Sequence, residues 1–331
     1  MLSGTGEEVG AAAGRSENVI DVRGLCKSYG ETRALESVSF TVGRAEVFGY
    51  LGPNGAGKTT TVNILCGLLT CDAGEVRIHG LDMKQKPIAV KQRIGVVPEE
   101  SNLYPELTCW RNLEYLGELY GLSRAARRKR VNDLLETFDL LDKRTAPFRA
   151  LSRGMKRRLT VAAALVHSPE IVFLDEPTAG LDVPSARALR SLIQDINRDG
   201  TTVFLTTHNL AEAEALCHRV LILVKGHVVT EGTAVEIRQR VEKARTLTLH
   251  LSADVDKRLL CEACPSVRSA CMVDGTWHLE ITDPHAAVAQ ILSFAEKRGD
   301  RVLEIGTTTA SLEDAFMTIL QANRERQGGG P

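Results

Sequence analysis

Hydrophobic and polar positions change period several times along the chain. NVIDVR (18–23) and VSFTV (38–42) have the makings of short strands, and AEVFGYL (45–51) that of a buried strand running into a glycine-rich turn. TTTVNILCGLL (59–69) continues as a predicted helix, and EVRIHG (75–80) and RIGVVP (93–98) as further strands. From Thr108 to Pro147 the spacing turns helical, in LTCWRNLEYLGELYGL and again in RVNDLLETFDLL. Alternation then resumes: a helix after LSRGM (151–155), the strand IVFLD (171–175), the helix SARALRSLIQDIN (185–197), the strand TTVFLTT (201–207), the helix AEAEAL (211–216) and the strand VLILV (220–224). Strands interleaved with helices predict a mostly parallel sheet covered on both faces, closed by the hairpin LVKGHVVTEG (223–232).

Beyond the hairpin the order becomes strand, helix, strand, strand, helix, strand, from TLTLHL (246–251) to RVLEIG (301–306). That is the order of a split βαβ, ferredoxin-like unit. The expected organisation is a leader at 1–17, a first domain at 18–240 with a helical subdomain at about 100–165, a small α+β domain at 245–322, and a disordered tail at 323–331. A length of 331 residues suits two domains. The net charge of −1 supplies no global field for nucleic acid or an anionic membrane. No apolar run approaches the ~20 residues that span a bilayer. The first residues, MLSGTGEEVGAAAGRSE, lack the basic start and apolar core of a secretory signal, so the eight cysteines are expected to be reduced cytosolic thiols.

GPNGAGKT, Gly52 to Thr59, matches the phosphate-binding loop G-x-x-x-x-G-K-[ST], with a strand before it and a helix after it. Glycines let successive backbone N–H groups turn inward around phosphate oxygens, and the helix beginning near Lys58 aims its positive end at them. Lys58 would contribute a point charge to the β/γ oxygens and the Thr59 hydroxyl a Mg²⁺ ligand. Asp175 stands at the carboxyl end of IVFLD, where α/β sheets place their ligands, and suits Mg²⁺ held largely through water. Glu176 is placed to orient or deprotonate an attacking water. The bland reading of this pair is a strand followed by two solvated acids.

With these motifs the chain resembles the ATP-binding subunits of ABC transporters, over about residues 18–235. LSRGM resembles the family signature LSGGQ, IVFLDEP its Walker B segment, AGLD (179–182) its D-loop and His208 its switch histidine, while Tyr29 in LCKSYG matches the aromatic residue that stacks on adenine. Each has a plainer alternative: Tyr29 an ordinary edge-strand tyrosine, His208 a helix cap, Asp182 the end of a turn. The resemblance implies an ABC ATPase domain of the P-loop NTPase fold with a helical insert. It implies ATP and Mg²⁺ as cofactors, with nucleotide contacts at Tyr29, at Gly52, Pro53, Asn54, Gly55, Ala56, Gly57, Lys58, Thr59 and Thr60, and at Ser152, Gly154 and Asp182. Metal contacts fall to Thr59, Asp175 and Glu99, and catalysis to Glu176, His208 and Lys58.

Two positions depart from the pattern. Glu99 stands where the family usually has glutamine, and a carboxylate can reach Mg²⁺ but cannot donate an amide hydrogen bond. Arg153 replaces the first signature glycine and Met155 the glutamine. Ser152 is suited to cap a helix facing a γ-phosphate, with Arg153 an added cation beside that anion. Lys156, Arg157 and Arg158 are expected to form a flanking helix surface.

RIGVVPEESNLYPELTCWRNL and SLEDAFMTIL (311–320) narrow the resemblance to the drug-resistance or ABC-2 export type. It implies a homodimer in the ATP-bound state that powers a separate integral-membrane permease, contacted near Glu99–Pro105. The permease would export drugs, lipids or other amphiphiles, with this subunit peripheral on the cytoplasmic membrane face and no nucleic-acid partner. A soluble, non-transport regulatory ABC ATPase is the alternative. A single cassette argues against a tandem translation factor, and the absence of sustained heptads between Lys58 and Asp175 against a chromosome-maintenance ATPase. The basic run SRAARRKR (123–130) is expected to be a solvated face, and Cys261-x-x-Cys264 has no second CxxC to complete a zinc site.

Overall fold

The computed structural model describes residues 18–241, 245–253, 255–273, 275–308 and 311–328. The chain folds as two compact units that divide between Glu231 and Gly232. The expected leader at 1–17 lies outside the described residues, as do residues 329–331.

The first unit runs β1 (Asn18–Tyr29), β2 (Thr32–Gly43), β3 (Val47–Leu51), α1 (Lys58–Leu65), β4 (Ala73–Ile78), β5 (Leu81–Asp82), α2 (Pro87–Lys91), β6 (Ile94–Val97), α3 (Cys109–Leu119), α4 (Arg124–Thr137), α5 (Arg153–Ala164), β7 (Ile171–Asp175), α6 (Val183–Arg198), β8 (Thr202–Thr207), α7 (Leu210–Leu216), β9 (Arg219–Val224) and β10 (His227–Gly232). Six strands form one sheet in the order β10–β9–β3–β8–β7–β6, with β9, β3, β8, β7 and β6 mutually parallel. The pattern also predicted strands near the start of the chain without saying what they join. They form a separate antiparallel sheet, β2–β1–β4–β5, because hairpin and long-range antiparallel pairing are invisible to local periodicity.

Both faces of the parallel sheet are buried, which explains why its strands are apolar without alternation. Phe48 and Tyr50 of β3, Ile171 and Phe173 of β7 and Phe204 of β8 face the antiparallel sheet. Their neighbours Val47, Val172, Leu174, Val203 and Leu205 face the core shared with α3, α4 and α5. Phe204 lies amid Phe40, Phe48, Tyr50 and Phe173, with ring centroids 5.3–5.9 Å away. Side-chain caps start most of the helices: Thr108 for α3, Ser123 for α4, Ser152 for α5, Asp182 for α6 and Asn209 for α7. α1 is different, because Gly57 precedes it with no side-chain cap. It also ends at Leu65, short of the expected Leu69, as Gly67 takes a left-handed φ of 64°.

In the second unit α8 (Ala234–Val241) precedes β11 (Arg245–Leu251), α9 (Lys257–Ala263), β12 (Val267–Val273), β13 (Thr276–Ile281), α10 (Pro284–Arg298), β14 (Val302–Thr308) and α11 (Leu312–Gly328). The strand order β12–β13–β11–β14, antiparallel throughout, is that of a split βαβ, ferredoxin-like sheet. Leu247, Leu249, Trp277 and Leu279 pack with Leu260, Ala287 and Ile291 of its helices. Two expectations are corrected here. The hairpin strand, not residue 240, ends the first unit, so α8 belongs to the second. The stretch expected to be disordered from 323 is helical to Gly328, because Arg324, Glu325 and Arg326 are good helix formers that continue the preceding turns.

One buried charge ties α7 to the loop after β7. Glu212 is 2% exposed, and the Thr178 hydroxyl donates to its Oε1 at 2.7 Å. Burial pushes the Glu212 carboxyl above its ordinary 4.5, with the Thr178 bond pulling it back. A raised acid binds its proton more tightly when folded, so its contribution to stability is present below pH 4.5 and is lost as pH rises through the folded value. Replacing Phe204 by Ala should lower stability by ~3–5 kcal/mol in urea unfolding, against a change within ~0.5 kcal/mol for exposed Leu68→Ala. Glu212→Gln keeps an acceptor for Thr178 and removes the buried charge. Its melting temperature relative to wild type should therefore climb as pH is raised from ~4.5 to ~8, which differential scanning fluorimetry across that range will measure.

Candidate active site

β3 delivers the chain into the turn 52–57, whose shape its glycines require. A Cβ on Gly52 would lie 2.3 Å from the Leu223 carbonyl oxygen, and one on Gly57, at φ 109°, 2.6 Å from that of Ala34. The Gly226 amide donates to the Ala56 oxygen, so the β9–β10 hairpin supports the turn from below. The uncapped N-terminus of α1 follows, leaving its first amide groups for an anion. Lys58 is buried, and its ammonium donates to the Gly52 oxygen at 2.7 Å and the Pro53 oxygen at 3.3 Å. A cleft of about 420 Å³ opens over the turn, lined by Ala34, the run from Pro53 to Thr60, Glu99, Glu176 and His208.

The carboxylates come from the ends of β6 and β7. Asp175 is buried at the last position of β7 and accepts a very short hydrogen bond from the Thr206 hydroxyl. Glu176 takes a left-handed φ of 46°, and its amide donates to the Thr206 oxygen at 3.1 Å. That kink turns its side chain out of the strand direction, a strained conformation of the kind that collects at functional sites. The carboxylate then stands between two cations or potential cations. The Lys58 ammonium is 3.7 Å from Oε1, and His208 Nδ1 is 2.9 Å from Oε2, where the proton belongs on the nitrogen because the carboxylate accepts. Asn209, rather than His208, caps α7, which leaves the imidazole free for Glu176. Among the described residues no three His, Cys, Asp or Glu side chains cluster closely enough to hold a metal by themselves.

Thus the turn 53–60, Glu99, Glu176 and His208 meet at one cleft, with Asp175 beneath Glu176. Tyr29, Ser152, Gly154 and Asp182 do not line it. Tyr29 ends β1, 52% exposed, with the Lys27 ammonium 5.8 Å from its ring centroid. Ser152 accepts from the Met155 amide at 3.3 Å. Gly154 lies so close to α6 that a Cβ would meet Ser185 Oγ at 2.6 Å. Asp182 accepts from the Ser185 amide at 2.9 Å, and hydrogen bonds from Ser185 hold its carboxyl below the usual range.

The basic cluster after the signature is not the uniform surface the sequence suggested. Arg157 is 8% exposed and donates to four main-chain oxygens: Pro98, Glu99 at 3.1 Å, Asp175 at 2.6 Å and Pro177 at 2.8 Å. The signal was present but unread, since Arg157 shares a helical stripe with Thr160, Val161 and Ala164, all buried. Arg153, expected as a cation awaiting phosphate, donates to the Gly180 oxygen of its own chain at 2.8 Å. Thr206 and Glu212 were likewise missed, because nothing local marks a strand threonine or a helical glutamate as a partner of the Asp175–Thr178 segment.

A family model described as ABC transporter matches residues 35–179. The linearmycin resistance ATP-binding protein of Bacillus subtilis is 32% identical over 91% of this chain and 98% of its own length. A Nod factor export ATP-binding protein of Ralstonia nicotianae is 36% identical over 92% and 94%. A daunorubicin resistance ATP-binding protein of Streptomyces coeruleorubidus is 42% identical over 67% and 71%. Among solved structures, an ATP-binding subunit of an ABC transporter superposes with a TM-score of 0.62 at 33% identity, covering 67% of this chain and 92% of that one. A dimeric post-hydrolysis ATP-binding cassette bound to ADP and Pi gives 0.60 at 29% identity, covering 65% and 98%. The chain therefore belongs to the ABC transporter family, as an ATP-hydrolysing member of its drug-resistance and export type.

Proposed function

We propose that this ATPase works as a nucleotide-closed homodimer driving a separate membrane permease that exports drugs, lipids or other amphiphiles. The observation that carries the reading is the placement of Glu176, held by Lys58 and His208 at the mouth of the phosphate-binding turn. In this scheme the turn 52–60 cradles the phosphates of ATP and Tyr29 stacks on adenine. Ser152, Gly154 and Asp182 serve the second copy's nucleotide, in keeping with their position outside the cleft of their own chain. Their role across a dimer is supported by the dimeric cassette among the similar structures.

The Thr59 hydroxyl, Asp175 and Glu99 are hard oxygen donors, a set suited to Mg²⁺ and not to a thiophilic metal. With too few protein ligands for a closed cage, a bound Mg²⁺ would complete its shell with water and phosphate oxygens, and it would neutralise charge developing on the β- and γ-oxygens. The protein's own contribution is positional. Binding draws the Lys58 ammonium toward phosphate, Glu176 orients a water and accepts its proton, and His208 holds the freed carboxylate in line while contacting the γ-phosphate.

No described helix is long and apolar enough to cross a membrane. The names of the similar proteins, resistance and export ATP-binding proteins, support a permease partner. In this scheme it docks near Glu99–Pro105, because that loop joins the nucleotide site to the helical insert, and the ATPase sits peripherally on the cytoplasmic membrane face. Glu176→Gln should lower ATP turnover ~10²–10⁴-fold while ATP binding persists, and should trap an ATP-dependent dimer visible by size-exclusion chromatography with light scattering. Full turnover in that variant would remove Glu176 from the reaction; a monomer under saturating ATP would remove the dimer.

A further inference from the structure

We propose that Arg157 is a positioning residue for hydrolysis: its guanidinium clamps the two strand ends that carry Glu99 and Glu176 and so fixes where both residues enter the cleft they line. The proposal rests on the reading of Glu99 and Glu176 given above.

The geometry is that of a bridge. Pro98 and Glu99 directly follow β6, Asp175 ends β7, and Pro177 lies one residue past Glu176. Nη1 donates to the Pro98 and Glu99 oxygens, Nη2 to Asp175 and Nε to Pro177. One planar group thus spans two adjacent strand ends, using the divergent donors that distinguish guanidinium from ammonium. Glu176 is flanked on both sides by oxygens that Arg157 holds, so its left-handed turn is fixed from the backbone without contact to the carboxylate.

Electrostatics points the same way. Burial pulls the Arg157 pKa below its ordinary value, and Asp175, Glu99, Glu212 and Glu176 oppose that pull, in that order. These acids thus favour keeping Arg157 charged despite its burial. Lys58 is the other cation beside Glu176, but it is the group that phosphate would engage, whereas Arg157 does not line the cleft and its charge is present in every nucleotide state. Arg157 springs from the second turn of α5, whose first turn carries the signature residues, so displacement of that helix would move Glu99 and Glu176 together.

The test compares wild type, Arg157→Lys, Arg157→Gln and Glu176→Gln in the full-length protein, measuring melting temperature, ATP affinity by calorimetry, and kcat and KM for Mg²⁺-ATP. A lysine keeps the charge but reaches only part of the oxygen set, and a glutamine keeps a donor without charge. The expected result is that the Lys variant folds and binds ATP within about threefold of wild type while kcat falls ~10–100-fold, the cost of misplacing a catalytic group, with Gln slower still. A purely structural residue would lower the melting temperature and the folded fraction but leave kcat per bound ATP unchanged. The clamp is overturned if the folded Lys variant turns over at the wild-type rate, if affinity falls in step with kcat, or if neither variant folds. An active Glu176→Gln would sink the site reading and the clamp with it; an inactive Glu176→Gln beside a fully active Arg157→Lys would sink the clamp alone.

Discussion

Parallel pairing is the constraint on which the first unit depends. Parallel strands run in one direction, so the residues that follow β3, β6, β7 and β8 all emerge at the same edge of the sheet. That edge receives the phosphate-binding turn from β3, Glu99 from β6, Asp175 and Glu176 from β7, and His208 from β8. Residues as far apart in sequence as Lys58 and His208 come within reach of one carboxylate because their strands share a sheet. Every residue of β7 and β8 is buried, so the edge they carry is packed on both sides of the sheet.

Gathering acids at one edge creates repulsion, and the molecule offsets it locally. Asp175 is buried against the Thr206 hydroxyl, Glu212 against that of Thr178, and Glu176 lies between Lys58 and His208. The backbone between these acids is held by side chains from both flanking helices: Arg153 and Arg157 of α5 reach Gly180 and Pro177, and Glu212 of α7 reaches Thr178. The loop leading to Asp182 is therefore tied at once to the signature helix and to the helix that follows His208.

The departures from the family pattern read differently in this light. Arg153 occupies a glycine position without crowding the helix start, because its side chain folds over the Gly180 turn. Gly154 is the position where packing leaves no room for a Cβ, against Ser185 at the start of α6. The retained glycine is thus explained by contact within the chain, whatever it does across a dimer. The second unit follows separate rules: its sheet is antiparallel throughout and buries Leu247, Trp277 and Leu279 on one face.

By itself the sequence determined the elements and the chemistry that sits next to them. Apolar runs ending in glycine or acid mark strand ends, the glycine-lysine turn needs only neighbouring residues to define itself, and Ser152 signals a helix start through a local cap. Only the tertiary structure decided which strands join which sheet, that Arg157 turns inward while Arg158 reaches the Phe138 and Asp139 oxygens near the surface, and that Arg153 meets its own chain. It also decided that α11 runs to Gly328 and that α8 belongs to the second unit. The physical reason is range. Periodicity, capping and turn chemistry act over a few residues, whereas burial of an arginine depends on carbonyl groups that lie 18 to 59 residues away along the chain and converge only when β6 and β7 pair.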